Sequence, residues 1–127
     1  MNQTSIHLTV DTKRSLIRVH KYALHQLNDP AYIQFMIDPK DMYFAVKGLD
    51  HASSSDQAHR ITEQRLLSDR SIEIRANYFI KRLKSLNKQI IDGNLYRMDG
   101  QLVPSERIAV FSIGDLIAVS EEVNTHD

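Results

Sequence analysis

The sequence predicts an α+β fold, built from two related strand–helix–hairpin units that share one core about a pseudo-two-fold axis. Three observations predict it. Short stretches of period-two patterning are interspersed with stretches of helical period, so strands and helices alternate. Arg14–Leu27 resembles Arg70–Leu83 at a constant spacing of 56 residues. The composition, 42% hydrophobic and 25% charged over 127 residues, suffices for one shared core.

In chain order, Ile6, Leu8 and Val10 alternate with polar residues as a half-buried strand requires. Asp11-Thr12-Lys13-Arg14 supplies a turn, and Leu16–Val19 pairs back as a second strand. A short helix around His20–Leu27 ends at Asn28-Asp29-Pro30, because proline lacks an N–H and disfavours helix at the residue before it. Tyr32–Ile37 and Met42–Val46, rich in β-branched and aromatic residues, flank the turn Asp38-Pro39-Lys40-Asp41 and read as a hairpin. A polar linker follows, with no periodic apolar face. Ile61–Leu67 reads equally as a strand or a short helix. Ser71–Arg75 reads as a strand and Ala76–Lys88 as a helix whose Phe79, Ile80, Leu83 and Leu86 share one face. Asp92-Gly93-Asn94 is turn chemistry, after which Leu95–Met98, Arg107–Ile113 and Leu116–Val119 have strand character. The expected organisation is a first unit over 1–49, a linker over 50–60, a second unit over 61–120 and a polar tail over 121–127.

The internal repeat carries the two-unit expectation. Arg14/Arg70, Ser15/Ser71, Tyr22/Tyr78 and Leu27/Leu83 are identical pairs, and Phe44-Ala45-Val46 matches Ile108-Ala109-Val110 at a spacing of 64. Such a half cannot cover its own apolar face, so two would close a shared core. The run Ile17–Leu27, continuing into Tyr32–Val46, resembles the swapped-hairpin unit of AbrB/SpoVT-like DNA-binding regulators. The resemblance covers about 30 residues per half. The family's proline at the helix start is His20 or Ala76 here, and Asn28-Asp29-Pro30 stands where its glycines follow the helix. The resemblance implies two interleaved units and basic residues near the strand–helix junctions that face DNA.

Function is read from charge placement. Sixteen basic and sixteen acidic residues cancel, yet residues 60–88 hold eight basic and three acidic side chains while residues 89–127 hold two and seven. Phosphate contacts need arginine and lysine along a surface, not a basic whole. The expected nucleic-acid contacts are Arg14, Arg18, Lys21, Arg70, Arg75, Lys81, Arg82, Lys84 and Lys88. Tyr22 and Tyr78 are candidates for stacking on bases, or for packing at the core's edge with the hydroxyl in water.

No P-loop, dinucleotide fingerprint, His-Glu-x-x-His or Gly-x-Ser-x-Gly occurs. The six histidines lack metal-ligand spacing and there is no cysteine, so no metal, cofactor or catalytic residue is expected. No apolar run is long enough to span a membrane, and the start lacks a secretory profile, so the expected location is cytoplasmic. The leading expectation is a nucleic-acid-binding protein, DNA preferred, and a transcriptional regulator. The alternatives are an accessory subunit that self-associates as a homodimer or higher oligomer through its basic middle and acidic C-terminal segment, an RNA-binding protein, and an enzyme of unrecognised site.

Overall fold

The structure is a computed structural model and describes residues 5–119. The expected polar tail over 121–127 lies outside the described residues. Among these residues ten strands form one sheet: β1 (Ser5–Asp11), β2 (Leu16–Val19), β3 (Tyr32–Asp38), β4 (Tyr43–Leu49), β5 (His59–Arg60), β6 (Arg65–Leu66), β7 (Ile72–Arg75), β8 (Leu95–Val103), β9 (Ile108–Ser112) and β10 (Ile117–Val119). Among the described residues two α-helices interrupt them, α1 (Lys21–Gln26) and α2 (Asn77–Leu86). The order across the sheet is β5-β3-β4-β9-β8-β1-β2-β7-β6, with β10 also on β8, and every pairing is antiparallel.

This overturns the α+β expectation of two strand–helix–hairpin units about a pseudo-two-fold axis. The molecule is mostly antiparallel sheet, curled into half a barrel. The physical reason lies in β1. It does not stop at its local partner β2 but pairs along its whole length with β8, from Ser5↔Gln101 to Asp11↔Leu95. The hairpin β3–β4 is likewise joined to β9. Neither half therefore closes on itself.

Register exposes a second flaw in the repeat. A spacing of 56 equates Ile17 with Glu73, yet Ile17 lies opposite Ile74, and Arg18 lies opposite Glu73. Likewise, a spacing of 64 puts Ile108 and Val110 inward with Phe44 and Val46, whereas Phe44 faces Phe111 and Val46 faces Ala109. Ala109 and Phe111 are buried, while Ile108 and Val110 are half-buried. Because strand side chains alternate faces, a one-residue error in register reverses every one of them.

Local chemistry accounts for the element ends. Asp11 Oδ1 accepts the backbone N–H groups of Lys13 and Arg14, which folds the β1–β2 turn. Asn28 and Asp29 take positive φ values of 73° and 47°, terminating α1 before Pro30. Ile61–Leu67 resolves into a 3₁₀ turn over Ile61–Glu63 and the short β6. The core gathers Ile6, Leu8 and Val10 of β1, Ile17 and Val19 of β2, and Ile72 and Ile74 of β7. The helices lie on this same side of the sheet, through Ala23 and Leu24 of α1 and Ile80 and Leu83 of α2. Among the described residues, no helix is long and apolar enough to cross a membrane.

Candidate functional site

Alternation along β2 and β7 fixes the site. Ile17, Val19, Ile72 and Ile74 point into the core, so Arg18, Glu73 and Arg75 point to the other face of the sheet. There Glu73, 5% exposed, is ringed by arginines. Its Oε2 accepts a hydrogen bond from Arg18 Nη2 at 3.1 Å and lies 3.5 Å from Arg14 Nη2. Its Oε1 lies 3.9 Å from Arg65 Nε, beyond hydrogen-bond length. Arg14 Nε also donates to Asp11 Oδ2 at 2.7 Å. Arg14, Leu16, Gln64, Arg65, Glu73 and Arg75 line an open hollow of about 530 Å³.

A second hollow, of about 660 Å³, lies on the other side of the β1–β2 turn. Successive turn residues divide between the two: Arg14 and Leu16 line the first, Thr12, Lys13 and Ser15 the second. Asn77, Lys81 and Lys84 of α2 and Asp92 complete its wall. Thr12 anchors this turn by donating to Asn94 O at 2.7 Å and accepting from Asn94 N–H at 3.0 Å. Lys84 Nζ binds Asp92 Oδ1 at 2.6 Å, which spends part of this hollow's positive charge.

The nine expected cations thus fall in several places. Arg14, Arg18 and Arg75 meet on the sheet face around Glu73. Lys81 and Lys84 line the second hollow. Arg82, half-buried, and Lys88, exposed, belong to α2 and the turn after it, and exposed Lys21 opens α1. Arg70, exposed at a positive φ of 71°, sits in the tight turn before β7, at the opposite end of that strand from Arg75. Tyr22 and Tyr78 are 53% and 63% exposed on their helices. They do not join the arginine hollow.

Sequence reasoning missed Arg65, Glu73 and Asp11. Glu73 alternates with Ile72 and Ile74, a signal that it faces away from the core, but only the β2–β7 register sets Arg18 opposite it. Arg65 reaches it because β6 pairs Arg65 with Glu73.

A histidine pair adjoins this face. The rings of His7 and His20 lie 4.6 Å apart, and His20 Nδ1 is 3.1 Å from Ser71 Oγ. Burial holds His20 below the usual histidine range, assisted by the charge of His7. Burial also lowers His7, with Arg97 adding to the effect. Asp69 is held below the carboxylate range chiefly by the backbone N–H of Ser71. Ser71 itself is 1% exposed, so this trio offers no accessible nucleophile. Among the described residues, no three His, Asp or Glu side chains gather to hold a metal ion. No family model, curated protein or solved structure matches the chain.

Proposed function

We propose that the chain binds nucleic acid without catalysing a reaction, the arginine hollow and the neighbouring lysine hollow together contacting the phosphates. The observation that carries this reading is the vertical order of charge around Glu73. The side chains of Asp11 and Glu73 are only 4% and 3% exposed, whereas those of Arg14 and Arg65 are 46% and 72% exposed. An approaching polyanion therefore meets guanidinium before carboxylate. Among the described residues, four arginines stand here against the sunken Asp11 and Glu73, with Asp69 adjoining Arg18, which leaves this set positive by one although the whole chain is neutral. Guanidinium also matches phosphate geometry bidentately, which ammonium does not. The sequence resemblance to AbrB/SpoVT-like regulators is the ground for a DNA partner and a regulatory role, although the two interleaved units it implies are not formed, and a cytoplasmic location accords with a chain that holds no cysteine.

The test is a salt titration of binding to duplex DNA and to RNA. Log affinity should fall linearly with log salt, and replacing Arg65 and Arg75 together by alanine should reduce the slope by about 1–2. Absence of binding to either polymer at low salt overturns the reading. Light scattering over the same salt series addresses the alternative: an oligomer that dissociates with salt, in a chain that binds neither polymer, supports self-association between the basic middle and the acidic C-terminal segment.

A further inference from the structure

The ion pair at the centre of the arginine hollow is not fully satisfied. Glu73 Oε1 and Arg18 Nε are both buried, and among the described residues neither has a hydrogen-bond partner. Leaving a buried carboxylate oxygen unbonded is costly, more so inside a cluster of charges. Arg65 Nε lies 3.9 Å from Oε1, on a side chain that is 72% exposed and rooted in a two-residue edge strand. Arg65 stands close to Oε1 without bonding it. If Arg65 turns outward to a phosphate, it uncovers an acceptor beside that phosphate. The group that fits there is a hydrogen-bond donor carried close to a phosphodiester.

We propose that this hollow distinguishes ribonucleotide from deoxyribonucleotide strands, its arginines holding the phosphate while Glu73 Oε1 accepts a hydrogen bond from the 2′-hydroxyl. The 2′-hydroxyl is the one donor that every RNA unit has and every DNA unit lacks, whatever the base. A carboxylate is well suited to the task, because it accepts and never donates when ionised, and a bond to a charged group is stronger than one between neutral groups. The inference rests on the nucleic-acid reading and replaces its DNA preference with one for ribose. Lys81 and Lys84 in the adjoining hollow do not share this selectivity; they meet phosphate alike on either sugar.

The experiment compares the full chain binding three uridine homopolymers of equal length at one ionic strength: ribose, deoxyribose and 2′-O-methylribose. The ribose strand should bind roughly ten- to a hundred-fold more tightly than the other two, the span expected of one hydrogen bond to a charged acceptor. Methylation keeps the ribose pucker and the oxygen but removes the donor, so it separates donation from sugar shape. Glu73→Gln removes a negative charge and should raise affinity for all three while drawing their ratio toward unity. Equal binding of the three strands by the unaltered chain overturns the inference and leaves the nucleic-acid reading standing. Failure to bind any strand overturns that reading and the inference with it. Should Glu73→Gln not fold, the 2′-O-methyl comparison on the unaltered chain decides alone.

Discussion

At the scale of single residues, Glu73 is the most consequential side chain of the outer face. A carboxylate 5% exposed is tolerated there because Arg18, on the facing strand, donates to it and Arg14 stands close by. Arg18→Ala should therefore destabilise the fold by about 3 kcal/mol, the low end for breaking a buried pair, because Arg14 still stands beside the carboxylate. Replacing both partners, Arg18→Met with Glu73→Leu, should cost much less than the single change. Urea unfolding of the two variants checks the difference, and a double variant as unstable as the single one would contradict it. The histidines set a pH dependence. His7, His20 and His59 are all held below 6.5 by burial, so the unfolded chain binds protons more readily than the folded one. Their contribution is fully present above that unfolded value and is lost as pH falls through and below it. Thermal melts should accordingly show a midpoint that drops as pH falls from neutrality toward 5.5, and His20→Gln should flatten the drop. Much of this face was legible: Arg14, Arg18 and Arg75 stand out as cations at strand ends. What was not legible is their common partner, since a carboxylate some 55 residues along the chain is brought beside Arg18 only by strand register.

At the scale of elements, strands and helices were readable from apolar period and turn residues, while their faces and neighbours were not. β9 shows why. Ile108 and Val110 outrank Ala109 in hydrophobicity, yet Ala109 points inward because Phe111 does, and Phe111 is placed by its contact with β8. Gly100 is the counterpart on β8. It lies opposite Phe111, and a side chain there would strike the Phe111 ring and the Val110 carbonyl oxygen. Gly100→Ala should destabilise by about 1–3 kcal/mol, the range for overpacking a core. Gly114→Ala, where nothing stands within 4 Å of the added carbon, should leave the midpoint of denaturation nearly unchanged. Equal effects of the two substitutions would show that the Phe111 packing is not what demands glycine. α2 was expected over Ala76–Lys88 and runs over Asn77–Leu86, the difference lying at its ends, where Ala76 N–H is taken by Ser15 O and Asn87 bonds Ile113 O through its side chain.

At the scale of the whole molecule, the two-unit expectation failed because local pairing was taken as the end of the matter. Alternation identified β1 as a strand and the Asp11 turn identified β2 as its partner, but nothing in either segment names β8 as the other neighbour. With β1 lying between β2 and β8, residues from both parts of the chain belong to one sheet and one core. Denaturant unfolding should then be a single transition, coincident by circular dichroism and tyrosine fluorescence. Two separable transitions, one for each expected unit, would contradict the continuous sheet. The placement of β1 also bears on how the chain is made. Its seven residues leave the ribosome well before β8, the strand that covers its far edge and ends at Val103. The whole stretch between them must be translated before that edge is occupied, so the β1–β8 pairing waits on β8, and the nascent strand has to be kept from foreign partners meanwhile.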